Sequence, residues 1–157
     1  MAIYNREYLN SRKKDYLIGT IRLDNNVLLE DRINSDDDKL RLKKVGLCNV
    51  YVYSGEGPNP HFHIKGENFE ACVKIYEAEF FSHADYHCEL SKSNCSKLND
   101  WLDQKNILIN PEKTNWEVIK DVWIRNNPDN IYKNPPKQCD EKPDYSKMKN
   151  SKERKIY

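Results

Sequence analysis

No apolar run in this sequence approaches the length that a membrane-spanning helix needs, and the opening Met1-Ala2-Ile3-Tyr4-Asn5-Arg6 lacks the apolar core of a signal peptide. Membrane insertion is excluded on this reading, and a cytoplasmic setting is expected. Cys-x-x-Cys pairs are missing as well. The five cysteines, Cys48, Cys72, Cys88, Cys95 and Cys139, are odd in number and suggest reduced thiols rather than a disulfide framework. Excess charge of one sign is also absent. The formal net charge is +1, so nothing drives the whole molecule toward nucleic acid, and any binding patch has to be local. Glycine and arginine are scarce, whereas lysine and asparagine abound. Codon bias in an AT-rich genome produces that skew, which points to a low-GC bacterium, or to a phage or mobile element living in one.

What is present fits one domain. A chain of 157 residues can bury roughly two-thirds of its unfolded surface without staples. Asp15 to Leu23 is rich in β-branched and aromatic residues and reads as a strand. Asp24-Asn25-Asn26 reads as a turn, with Val27 to Leu29 returning as a hairpin partner. The aspartates of Ser35-Asp36-Asp37-Asp38 lack the spacing and the glycine of a calcium loop and read as a solvated turn. Asn49 to Ser54 alternates Val50 and Val52 against Tyr51 and Tyr53, the pattern of a half-buried strand. A Gly/Pro loop leads into a strand at His61 to Lys65. Gly66-Glu67-Asn68 reads as a turn and Ala71 to Phe81 as a further strand. Connections this short allow only antiparallel neighbours.

After Leu90 the period changes. Cys95, Leu98, Trp101 and Leu102 recur at three- and four-residue spacing, which predicts a helix over Lys92 to Lys105 with Ser91 or Ser93 as N-cap. Thr114 and Glu117 form a capping box for a second helix carrying Trp116, Ile119 and Trp123, stopped by Asn127-Pro128. The expectation is an α+β fold: an antiparallel β-meander of four to six strands, then two packed C-terminal helices and a basic tail. Residues 1–133 form a single domain on this reading, and 134–157 a Pro/Lys-rich tail ending in Lys147, Lys149, Lys152, Arg154 and Lys155.

The chemistry concentrates in Asn59-Pro60-His61-Phe62-His63-Ile64. Side chains two apart on a strand leave from one face, so His61 and His63 point together. One reading makes them ligands of a divalent metal such as zinc, completed by His83, His87 or Cys88. The segment from His83 to Cys95 supplies suitable atoms without a recognised zinc spacing. The competing structural reading has both imidazoles bonded to backbone carbonyls and packed on Tyr51 or Tyr53. A third makes the pair a general acid and base cleaving RNA, with Lys65 or Lys74 holding the phosphate. The tail and an open face of Tyr51, Tyr53 and Lys65 would make a nucleic-acid or protein-binding surface. The tail's lysine-over-arginine bias favours a solvated end.

Pro60, His61, Phe62 and His63, followed by Leu90, Trp101, Leu102 and Trp116, resemble a family of small bacterial proteins of unknown function. That family has a Pro-Pro-His-Phe-His core motif and is often encoded in toxin–antitoxin-like gene pairs. The resemblance spans about Val45 to Asn126. It departs at Asn59, where a second proline is usual, and at Phe80 to Cys88, which looks like an insertion. It implies size and fold and the setting of a paired gene, with a protein partner, but no activity. Gly55, His61, His63 and Glu67 also match half of a cupin metal motif. Lys74 stands where its closing glycine belongs, and no glycine follows Gly66 to build the second half. The expectation is a small interaction module that binds a partner protein, with a metal-dependent or histidine-based phosphodiesterase as the alternative and a nucleic-acid-binding protein as a third.

Overall fold

Alternating side chains write the sheet. The computed structural model describes residues 14–24, 46–55, 59–67, 69–81, 89–127 and 141–148. Four strands, β1 (Asp15–Arg22), β2 (Leu47–Tyr53), β3 (His61–Lys65) and β4 (Glu70–Lys74), form one antiparallel sheet in the order β1-β2-β3-β4. Directly opposed residues share a face. The register therefore puts Val50 with Ile64 and Ala71, and Phe62 with Val73, on one side. On the other side Tyr51 stands opposite His63, and His63 opposite Cys72. The meander expected from the sequence is present, with four strands among the described residues.

Helices α1 (Lys92–Leu102) and α2 (Asn115–Asn126) follow. Ser91 is the N-cap of α1, accepting from the Asn94 N–H. Thr114 and Glu117 close the expected capping box on α2. Leu98, Leu102, Trp116 and Ile119 join Val50, Val52, Phe62, Ile64 and Val73 in one apolar core. Each such side chain contributes about 1.5–3 kcal/mol by leaving water. Gly19 lets the sheet and α1 close up, because a Cβ there would stand 3.2 Å from Cζ2 of Trp101.

Several boundaries differ from the sequence expectation. The strand read over Ala71 to Phe81 ends at Lys74, and the chain folds back. The Lys74 N–H donates to the Glu79 carbonyl at 3.0 Å, and the Phe81 N–H to the Cys72 carbonyl at 2.9 Å. Lys74 lies between Glu77 and Glu79, at 3.4 and 2.9 Å, and these ion pairs favour the reversal over continued extension. Helix α1 stops at Leu102 rather than Lys105, because Lys105 is drawn into a bridge with Thr114. The proposed return strand Val27 to Leu29 and the acidic loop at Ser35 to Asp38 lie outside the described residues, and β1 takes β2 as its partner.

Residues 141–148, assigned above to a tail, are joined to the domain. Asn99 on α1 accepts through Oδ1 from the Tyr145 N–H at 2.9 Å, and Lys142 Nζ donates to the same oxygen. Tyr145 begins a single 3-10 turn, Tyr145–Lys147, and is fully buried, as is Met148 at 2% exposure. Prolines and lysines around this apolar pair, spaced three apart, mask it in the sequence.

Among the described residues four asparagines are buried, Asn94, Asn106, Asn115 and Asn127. Asn94 brackets the backbone of Asp24, accepting from its N–H at 2.8 Å and donating to its carbonyl at 3.1 Å. Asn127 donates to the carbonyls of Tyr53 and Trp123, both at 3.1 Å. Asn106 donates through Nδ2 to the Ile18 carbonyl and to Asn115 Oδ1, and accepts through Oδ1 from the Ile109 and Asn110 N–H groups. Two donors and two lone pairs are the whole capacity of an amide. Some of the asparagine attributed above to codon bias is therefore structural.

Candidate functional site

The turn between β3 and β4 builds the centre of interest. Gly66 donates its N–H to the Phe69 carbonyl at 2.8 Å, which pairs Lys65 with Glu70, His63 with Cys72 and His61 with Lys74. Glu70 and Cys72 are two apart, so both share the face of His63.

His63 Nδ1 lies 2.8 Å from Glu70 Oε2 and 3.2 Å from Cys72 Sγ. The ring stacks on Tyr53 with centroids 4.3 Å apart and planes at 22°. A carboxylate accepts, so Nδ1 carries the proton and donates it to Glu70. A thiol–imidazole–carboxylate relay needs nucleophile and carboxylate on opposite ring nitrogens. Here both face Nδ1, and the arrangement does not form a nucleophilic triad. One nitrogen, one oxygen and one sulfur within 4.8 Å of one another are nonetheless a donor set that a metal ion accepts.

His61 has a different environment. Its Nδ1–H donates to the Asn59 carbonyl at 2.7 Å, and its ring stacks on Phe81 at 4.3 Å and tilts toward Trp123 at 5.3 Å. The carbonyl bond is that of the structural reading, but the rings packed on His61 are Phe81 and Trp123 rather than Tyr51 or Tyr53. Both histidines are at 0% exposure, and a general acid–base pair has to reach its substrate. Lys74, one candidate for a phosphate, is held by Glu77 and Glu79, which raise its pKa, the Glu79 hydrogen bond most of all. Lys65 sits over the Tyr51 ring, 5.9 Å from its centroid.

The candidates named from sequence thus separate. His63 belongs to a cluster whose other members, Glu70 and Cys72, sequence reasoning missed. The signal was available, because pairing Lys65 with Glu70 across a short connection sets 63 opposite 72. His61 packs beside it, ring centroids 5.1 Å apart, without joining it. His83, His87 and Cys88 lie outside the described residues, as do Lys149, Lys152, Arg154 and Lys155. Lys147 is exposed and 3.9 Å from Asp144. Tyr51 and Tyr53 are half-buried, so the tyrosine face is not a flat open platform. Gly55, first residue of the cupin-like pattern, has φ of 65°, a left-handed conformation that accounts for glycine there without a metal. Glu67 is exposed, and the four meander strands followed by helices among the described residues do not make a jelly roll.

A second feature lies far from the histidines in sequence. Ile107, Leu108 and Ile109 are 93%, 57% and 45% exposed, three consecutive aliphatics in the loop between α1 and α2. Asn106 pins the loop from below, and the Lys105–Thr114 bridge closes its neck. No motif in the sequence marks this loop as a site.

No helix among the described residues is long and apolar enough to cross a membrane. No family model, curated protein or solved structure matches the chain, so the resemblance to the Pro-Pro-His-Phe-His proteins rests on its motif residues alone.

Proposed function

We propose that this protein is an interaction module that docks a partner protein through the Ile107-Leu108-Ile109 loop. The carrying observation is the exposure of three consecutive aliphatic side chains on a loop fixed by the Asn106 amide. Exposed apolar runs of this kind are costly to solubility and mark contact sites. A loop already held in place loses little conformational freedom on docking, which favours affinity. Asp103, Lys105, Glu112 and Lys113, all exposed, flank it in sequence with both signs of charge. An apolar centre with a mixed polar rim suits a protein surface, whereas an anionic membrane calls for a basic one.

The gene-pair setting implied by the motif resemblance supports a partner encoded nearby, as one half of a toxin–antitoxin or defence and counter-defence pair in a bacterium, phage or mobile element. Thiol-rich composition supports a cytoplasmic site of action.

A photo-crosslinking residue placed at Ile107, with Ser96 on the exposed face of α1 as control, tests this reading in the source cells. One defined heterologous adduct from position 107, absent from position 96, is expected. No adduct, or the same adducts from both positions, would overturn it.

A further inference from the structure

We infer that His63, Glu70 and Cys72 form a binding site for a zinc-class divalent metal ion that clasps β3 to β4. Nδ1, Oε2 and Sγ converge within 4.8 Å, with nitrogen–oxygen and nitrogen–sulfur separations of 2.8 and 3.2 Å. A tetrahedral zinc, with bonds of about 2.0–2.3 Å, sets its nitrogen and oxygen ligands about 3.4 Å apart and its nitrogen and sulfur about 3.6 Å apart. The nitrogen–oxygen pair therefore has to open by about half an ångström, within the reach of the Glu70 side chain, and the nitrogen–sulfur pair by slightly less, through a small rotation of the Cys72 side chain.

Three features make this a built site. The turn fixes the Cα partners, so two ligands come from β4 and one from directly across on β3. Tyr53 stacks on the imidazole and holds its plane. A single N–H at present lies between a carboxylate and a sulfur, and one cation would engage all three donors at once. Borderline nitrogen, hard oxygen and soft sulfur together select zinc and its cobalt(II) surrogate over magnesium or calcium.

Binding balances simply. The Cys72 thiol gives its proton to solvent and bonds the metal as thiolate. The His63 proton passes from Nδ1 to Nε2, freeing Nδ1 to coordinate, so one proton is released for each ion bound. Three protein donors leave the fourth position to water. Glu70, with its side chain 11% exposed against 1% for His63, marks the route of entry. The site shares no residue with the docking loop, and His61 is not among its ligands.

Cobalt(II) gives a direct readout. Full-length protein, stripped with chelator, is titrated with cobalt(II) and then with zinc. The expected result is one cobalt per chain, a thiolate-to-cobalt charge-transfer band with tetrahedral d–d bands, and loss of both on adding zinc. Cys72→Ser abolishes the charge-transfer band, and Glu70→Gln weakens zinc binding at least about tenfold. Cys95→Ser, altering a buried thiol on α1, leaves the spectrum intact. Absence of the cobalt bands in the unaltered protein overturns the site, and so does a charge-transfer band that survives Cys72→Ser. Should Cys72→Ser not fold, unchanged zinc affinity in Glu70→Gln overturns it alone.

Discussion

The hydroxyl of Tyr145 donates to the carbonyl of Ile75 at 2.6 Å, seventy positions back along the chain. It also reaches the Lys74 carbonyl at 2.7 Å, and Trp116 Nε1–H donates to the same Ile75 carbonyl at 2.9 Å. The point where β4 ends and the chain reverses is thus held from α2 and from the C-terminal segment together. Tyr145→Phe keeps the ring packing and removes the shared donor, for an expected loss of about 1–2 kcal/mol in urea unfolding. Removing residues 141–157 deletes Met148 and the Asn99 contacts as well, and the loss should be clearly larger. Equal stabilities for the full and shortened chains would show that this segment only rests on the domain.

Asn106 is expected to be the most sensitive polar position. Alanine there leaves the Ile18 carbonyl and the Ile109 and Asn110 N–H groups without their present partner. The expected cost is about 2–3 kcal/mol. Faster amide hydrogen exchange at Ile109 and Asn110 should accompany it, because the docking loop loses its anchor.

Ile107→Asp separates docking from folding. The side chain is 93% exposed, so the melting temperature should stay within the small range usual for surface changes. Partner crosslinking from a neighbouring loop position should fall sharply.

Gly19→Ala tests the closeness of β1 and α1. The added methyl meets a buried Trp101 at 3.2 Å, and the indole has little room to retreat. About 1 kcal/mol of destabilisation is expected from overpacking, offset in part by the stiffer unfolded chain. Chemical denaturation of the pair of proteins reads the sign directly.

Cys48 sets an alkaline limit. Burial pushes its thiol up from 9.0 to about 11. The unfolded chain ionises first, so this group favours the folded state below about pH 9 and loses that contribution as pH rises toward about 11. Cys48→Ala should flatten the fall in stability across that interval, whatever it does to stability at pH 7. A fall of the same steepness in the variant would assign the alkaline sensitivity elsewhere.

The parts of the fold that were legible are those written in local periodicity. Val50 and Val52 alternate with Tyr51 and Tyr53, the α1 stripe recurs at helical spacing, and Thr114 meets Glu117 within a single turn. What escaped depends on groups far apart in the chain. Tyr145 and Met148 show their burial only against a β4 terminus seventy residues earlier. The buried asparagines carry no apolar signal, because their role is to satisfy backbone groups of other elements. The reversal after Lys74 rests on ion pairs within a stretch whose composition also suits a strand. At the candidate site, the shared face of His61 and His63 was legible, and their separate fates were not. Those fates turn on which residues stand across the hairpin, Lys74 for His61 and Cys72 for His63.

Among the described residues β1 and β4 are the outer strands of the sheet. A strand at a margin ordinarily offers a row of backbone groups on which another chain can template. Beyond β4, residues 79–81 have already taken that place, bonding to Cys72 and Lys74. On β1 the pairing slips between Leu17 and Gly19, and the carbonyl of the extra residue, Ile18, is bound by Asn106. That break interrupts the regular spacing an incoming strand would have to match. Among the described residues, both flanks of the sheet thereby disfavour growth into a larger sheet or a fibril.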